Sequence, residues 1–442
     1  MPGPKGSMTY HFFQQMTLHS ELSGGSWSTP KKYLLRFIFL YWVFYIFPYG
    51  FEYLTWLTPD DISPWTAVTQ WFGETFLGWS FDPERLRKGF DTKYDFSRFM
   101  LIGLMSLVLA AIWTIVDARK RWQYNARLNS LLRTMLRYHV AFTLFLYGIA
   151  KVYLYQFGYL GLDRMDNEVG NLSPMSFLWL FMSYSPTYNI GTGLIEMIGG
   201  LLLLFRRTTL LGGIICFVAM ANVVLIDIAY DVTVKMFAIH LMVMVMILLL
   251  DDAKRLFNLL LFNRATAPRK ELALISNARY RIPGYVVKTL LIGYILINTL
   301  QYSSGINETR SKNLIPDPLH GKYTVEQYVI NNDTLPPLRQ DVDRWDEVLM
   351  GSSYVANRMT VTDMAGSRKF YVYEADTVRK TLNFYSRRDS TDRFEMQYTW
   401  PSEDKLVLEG THKSDTLHIE MSIFRREDYR LGKGKINWIR DL

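Results

Sequence analysis

Hydrophobic and polar positions along this chain follow two different periods, and the switch between them divides it. Up to about residue 302 the apolar residues come in long runs. These lie near 33–57, 98–117, 134–157, 187–205, 209–229, 233–250 and 285–302. At ~1.5 Å rise per residue, runs of this length match a bilayer core of ~30 Å. The pattern predicts a polytopic α-helical membrane bundle of about seven spans. Two outer segments are expected to carry structure of their own. Residues 58–97 mix Pro, Trp and charge, as interfacial helices do. Residues 173–184 (SPMSFLWLFMSY) are apolar but too short to span, which fits a re-entrant or interfacial helix.

Beyond residue 303 the period drops to two. Leu417, Ile419, Met421 and Ile423 alternate with Thr416, His418, Glu420 and Ser422. Phe394, Met396, Tyr398 and Trp400 alternate with Glu395, Gln397 and Thr399. Strict alternation marks half-buried strands. Turn signals follow closely at Asn331-Asn332-Asp333, Ala365-Gly366-Ser367, Pro401-Ser402-Glu403-Asp404 and Lys413-Ser414-Asp415. This predicts an all-β soluble domain, either a sandwich or a small up-and-down barrel, able to fold by itself. Within it, residues 341–350 (DVDRWDEVLM) read as one short helix.

The expected organisation is a cytoplasmic N-terminal segment (1–32), then two spans with an outer interfacial loop (33–131). A four-helix core (132–262), a cytoplasmic linker with the last span (263–302) and the β-rich domain (303–442) follow. The first run is too long for a signal-peptide core and lacks a cleavage pattern, so it is read as a span. Residues 1–7 precede a second Met at position 8 and are assigned no structure.

Charge then orients the chain. The net charge of +8 comes from cations clustered between apolar runs. Arg119, Lys120, Arg121, Arg127 and Arg133 occupy 118–133 without an acid, Arg206-Arg207 fill the next such turn, and 251–284 is again basic. The loop 158–186 opposes Arg164 with Asp163, Asp166 and Glu168. The positive-inside rule places the N-terminus in the cytoplasm and residues 303–442 outside. No basic stretch interleaved with aromatics points to nucleic acid. Cys216 is the one cysteine, which excludes internal disulfides, Cys-x-x-Cys redox pairs and iron–sulfur ligation by this chain alone.

The apolar runs carry ionisable groups, which cost a few kcal/mol or more at that depth and therefore pair or serve a ligand. Counting from the helix ends, Lys151, Glu196, Asn222, Asp227, Lys235 and His240 are expected to meet in one outward-facing cavity. Tyr147 shares a face with Lys151. Gly193, Glu196 and Gly200 share another, which lets a neighbouring helix approach the carboxylate. Lys151 with Glu196, and Asp227 or Asp231 with Lys235, are charge-balanced pairs that need do no more than hold helices together. The alternative is a ligand-binding or proton-handling site, with His240 as the proton carrier. His139, beside Arg137, is placed at the inner interface. No His-x-x-His or Glu-x-x-His spacing suggests a metal, and no catalytic residue is assigned.

The segment GLIEMIGGLLLLFRRTTLLGG, followed by IAYDVTVKMFAIHLMVM and preceded by YGIAKVY, resembles the DoxX family of bacterial membrane proteins. The resemblance covers about residues 132–262. The longer form, with a β-rich tail, is similar to members from Bacteroidetes-type bacteria. Thr233 and Asp227 depart from the Pro and Asn that such members carry. The resemblance implies a DoxX-like four-helix core and, for some members, a membrane subunit of a quinone-linked oxidoreductase. The leading expectation is a core that binds a lipophilic small molecule, a quinone before a lipid. Lys151, His240 and Tyr147 would face the carbonyls, and Glu196 or Asp227 would relay protons. No redox centre is encoded, so electrons would come from a membrane or periplasmic partner. The alternative expectation is a non-enzymatic anchor that presents the β-domain to an envelope partner.

Overall fold

The computed structural model describes residues 27–47, 64–82, 90–120, 124–267, 278–313, 319–353, 357–386, 389 and 391–432. Residues 1–7 and, within the 58–97 segment, residues 58–63 and 83–89 lie outside them, while a helix forms at Pro64–Leu77. The chain divides into two compact units, Met1–Val152 with Ile190–Ser303 and Tyr153–Asn189 with Ser304–Leu442.

The first unit is helical. Its described helices are α1 (Thr29–Ile46), α2 (Pro64–Leu77), α3 (Lys93–Lys120) and α4 (Asn125–Val152). After α5 (Pro174–Tyr184), which belongs to the second unit, come α6 (Pro186–Leu203), α7 (Thr209–Ala229), α8 (Lys235–Leu250), α9 (Ala253–Leu260) and α10 (Ala278–Asn313). A helix lies at each expected span. However, only three of the described helices are long and apolar enough to cross a membrane: Lys93–Arg119, Thr209–Ala229 and Ile282–Thr309. A fourth is reached if α8 and α9, bent by 75° at their break, count as one span. Length and composition thus support three or four crossings rather than seven. The reason is visible in the other helices: α1 holds Lys31, Lys32 and Arg36, and α6 is diluted by Asn189, its glycines and Glu196.

One expected basic loop, 118–133, is shorter than the sequence suggested. Residues 125–133 are the first turns of α4, and Arg133 is buried and paired with Asp251. Arg137 reaches the carbonyl of Leu204, where α6 has ended. Cations at these positions oppose the negative ends of neighbouring helices. The expected basic linker is therefore partly helix-end chemistry.

The second unit is a barrel. Its strands are β1 (Gly321–Ile330), β2 (Asp333–Thr334), β3 (Trp345–Met350), β4 (Arg358–Asp363), β5 (Arg368–Asp376), β6 (Thr381–Ser386), β7 (Arg393–Ser402), β8 (Lys405–His412) and β9 (Asp415–Phe424). Every strand from β3 to β9 pairs antiparallel with the next, β1 pairs with β3, and a β1–β9 pairing closes the ring. The two-residue β2 flanks the end of β1. Of the two expected architectures, the up-and-down barrel is the one formed. Phe394, Met396, Tyr398, Leu417, Ile419 and Met421 all point into its core, as the alternation requires. Asn331 and Asn332 take positive φ of 52° and 71° at a predicted turn, a conformation Asn tolerates.

The expected helix at 341–350 is wrong, because residues 345–350 are strand β3. A register shift between Trp345 and Glu347 inserts an extra residue, so the inward-facing Trp345 and Val348 lie three apart. That spacing imitates a helical face. The expected interfacial segment 173–184 does form a helix. Ser173 caps it by accepting a hydrogen bond from the Ser176 N–H, with Pro174 at the first position.

The 153–189 segment packs with the strands. Asp163 accepts hydrogen bonds from the Ser353 N–H (2.7 Å) and hydroxyl (2.5 Å). Asp166 accepts from Lys322 (2.8 Å) and from the Tyr429 hydroxyl (3.0 Å), while Lys322 also pairs with Glu347. Arg426 donates to the Leu160 carbonyl and stacks on the Tyr159 ring.

On the barrel wall, His418 sits between Glu409 and Glu420. Partial burial pulls its pKa down, but the two carboxylates outweigh this and hold it above the usual histidine value. A raised folded-state pKa stabilises the fold below the unfolded value of ~6.5, and that contribution is lost as pH rises through the folded value. The barrel should therefore lose a little stability as pH rises from just below neutrality through the elevated value, by under about 1 kcal/mol because solvent screens the cluster. Melts of native and His418→Gln protein across this range check it. The variant should lose that slope.

Candidate functional site

Two helices meet where their backbones can touch. On α4, a Cβ added to Gly148 would lie 2.6 Å from the Gly193 carbonyl oxygen. On α6, a Cβ on Gly193 would lie 2.6 Å from the Gly148 oxygen and 2.8 Å from Lys151 Cβ, and one on Gly200 would lie 2.7 Å from the Ala141 oxygen. Any larger residue would force the helices apart. This approach brings Lys151 and Glu196 into a buried ion pair. Glu196 uses one carboxylate oxygen for it. The other, Oε2, is buried and has no hydrogen-bond partner among the described residues.

Asp227, near the end of α7, repeats that situation. It is buried, its Oδ2 has no partner among the described residues, and it feels the charges of Lys151, Asp91, Lys235 and Glu196. Lys235 opens α8 and donates to Asp231 Oδ1 at 2.7 Å and to the Val232 carbonyl at 3.1 Å. Asp231 is largely exposed, so this pair forms the solvent-facing rim of the cluster.

The structure adds one residue that sequence reasoning missed. Asp91 accepts hydrogen bonds from the backbone N–H groups of Lys235 (2.8 Å) and Met236 (3.0 Å), and lies 3.9 Å from the Lys235 ammonium. It caps α8 from another part of the chain. The available signal was negative: Val232-Thr233-Val234 offers α8 no side chain that caps it, so the cap had to come from elsewhere.

Two expected members leave the cluster. Asn222 is exposed on the outer face of α7, because it lies five residues from Asp227 and so projects about 140° around the helix from it. His240 is buried, but its contacts form a different set. Its Nδ1–H donates to the Met236 carbonyl at 2.6 Å, a partner that can only accept. Nε2 then accepts from the Tyr41 hydroxyl at 2.7 Å. The imidazole stacks on Tyr45 at 4.4 Å, lies 4.6 Å from the Phe99 ring and meets Trp42 edge-on at 5.8 Å. Both nitrogens are engaged inside an aromatic nest, as a core histidine's are. Tyr147 contacts the ring of Phe237, one turn before His240.

A second buried pair also escaped the sequence reading. Arg36 is fully buried and donates to Asp117 (2.6 Å) and Thr114 (3.0 Å), and Lys32 pairs with the same aspartate at 3.3 Å. Arg36 interrupts an apolar run, which was its signal. Among the described residues, no group of three or more His, Cys, Asp or Glu side chains is arranged to hold a metal ion.

No family model matches the chain, and no solved structure matches it. A Bacillus subtilis protein, the uncharacterized protein YwoB, is 35% identical over 119 residues, which is 27% of this chain and 75% of YwoB. The chain belongs to the YwoB family. Membership carries no activity with it, because the YwoB description names none. The matched length is also only about a quarter of this chain, so most of it has no counterpart in that relative.

Proposed function

We propose that the helical unit is a DoxX-like membrane domain that binds a lipophilic small molecule, a quinone in the first place, at Lys151, Glu196 and Asp227. One observation carries this reading. Two buried carboxylates share the field of one buried ammonium, and one oxygen of each has no protein partner among the described residues. A buried polar atom without a partner costs about 1–3 kcal/mol. A ligand with donors recovers that cost. The oxidised ring presents carbonyl oxygens to the Lys151 ammonium, and the reduced ring presents hydroxyl donors to Glu196 Oε2 and Asp227 Oδ2. The carboxylates then take and give the protons of the two states. Electrons pass to and from a membrane or periplasmic redox partner. Asp91, Lys235 and Asp231 extend the polar cluster toward solvent. The basic clusters near 119–121 and 206–207 support a reading in which that opening faces the periplasmic side of an inner membrane.

Organic extracts of protein purified in mild detergent test this. Mass spectrometry should find a quinone enriched over a control membrane protein, and Asp227→Leu protein that still melts cooperatively should have lost it. Equal amounts in the control would defeat the proposal. A scaffold reading is favoured by a different observation, the grouping of 153–189 with the barrel. In that reading the helical unit anchors the barrel for an envelope partner, and the extract contains no enriched lipophile.

A further inference from the structure

Beyond α8 the chain turns out of the helical core. α8 buries Ala238, Leu241, Met244, Val245 and Leu248, whereas none of the eight residues of α9 is buried. The two helices meet at Asp251 and Asp252 with a bend of 75°. Both acids hold the elbow: Asp251 pairs with Arg133 of α4, and Asp252 accepts from Arg255 at 2.7 Å. Ala253, Leu256, Phe257, Leu260 and the following Leu261 recur at the three- and four-residue spacing of one helix side. Lys254, Arg255 and Asn258 take the opposite side. The apolar side stays open toward its end. Leu260 and Leu261 are 70% and 67% exposed, and the neighbouring Leu259 and Phe262 are 58% and 57% exposed.

We propose that α9 lies flat in the membrane interface, with its apolar side among phospholipid acyl chains just below the headgroups. This rests on the membrane reading of the helical unit and is independent of any ligand at Lys151 and Glu196. Continuity with a span is what points to lipid. α8 has 16 residues, about 24 Å, and falls short of a bilayer core of ~30 Å. It is long and apolar enough to cross only when α9 is counted with it. At a bend of 75°, however, the ~12 Å of α9 adds only about 3 Å along the direction of α8. The helix therefore runs along the surface instead of through it. Leucines on one side and Lys254 with Arg255 on the other match the composition of helices that lie in that plane. Because Asp251 ties the elbow to α4, α9 fixes the depth at which two helices of the bundle meet the membrane surface.

Spin labels on the full chain, in vesicles of phosphatidylcholine and phosphatidylglycerol, test the proposal. Cys216→Ala removes the native thiol, and Leu260→Cys, Asn258→Cys or Leu225→Cys then supplies one labelling position. Leu225 is exposed on α7, a helix long and apolar enough to cross a membrane, and serves as the deep reference. Collisions with oxygen, which concentrates in lipid, are compared with collisions with a water-soluble nickel chelate. The oxygen-to-nickel ratio for the Leu260→Cys label should be several-fold above that for Asn258→Cys and below that for Leu225→Cys. Equal ratios for Leu260→Cys and Asn258→Cys would place α9 in water and overturn the proposal. Exclusion of both reagents from the Leu260→Cys label would overturn it too, because a second copy or another segment then covers the leucines. Free access of nickel to the Leu225→Cys label would instead remove the membrane reading itself, and this proposal with it.

Discussion

Replacing Lys151 by Met, or Glu196 by Leu, should destabilise the helical unit by about 3–5 kcal/mol, because each change strands a buried charge. The pair is enclosed by α4 and α6, which meet through Gly148, Gly193 and Gly200, so the remaining charge has no room to turn toward water. The double change removes both charges and should recover most of that loss, since a buried ion pair replaced by apolar groups of similar size is often neutral. Thermal melts in detergent of the four proteins complete the cycle. The melts also separate the two roles open to the pair. If Lys151 and Glu196 only hold helices together, the double variant regains both stability and cellular function. If they serve a ligand, stability returns while function and the bound lipophile stay lost.

The second large effect is expected where the 153–189 segment grips the strands. Asp163→Ala should destabilise the barrel unit by about 2–3 kcal/mol, because it leaves the Ser353 N–H and hydroxyl without the charged acceptor they share. A fragment of 304–442 alone should melt well below a fusion that also carries 153–189. The sequence reading expected residues 303–442 to fold by themselves, and the contacts of Asp163, Asp166 and Arg426 argue that the domain is incomplete without the loop. Urea titrations followed by tryptophan fluorescence compare the proteins. Identical midpoints for fragment and fusion would show that the loop contributes nothing to the strands.

Local periodicity explains what could be read in advance. The alternation at 394–400 and 416–423 states which side chains face inward, and a closed barrel has only one inside. The Gly193, Glu196 and Gly200 face was legible for the same reason: a seven-residue spacing of small residues returns to one side of a helix. The failures come from events that lie outside any single segment. The register shift at Trp345 changes a period locally and is specified by the partner strand. Asp91 caps a helix 144 residues further along the chain, so no window around either residue contains the other. Arg133 read as part of a basic loop because its partner, Asp251, belongs to another helix. His240 looked like a proton carrier by depth alone, and only the surrounding rings show both its nitrogens already engaged.

The pairing of β1 with β9 sets the order of events during biosynthesis. β1 is the first strand of the barrel to leave the ribosome and β9 the last, so the ring stays open until nearly the whole domain has been made. Until then β1 offers one unpaired edge, and each newly added strand another, and such edges invite pairing with other chains. Contacts between residues so distant in sequence also form slowly. A nascent barrel of this kind has a long vulnerable interval, and its yield in cells should depend on how well holdase chaperones cover the open edge.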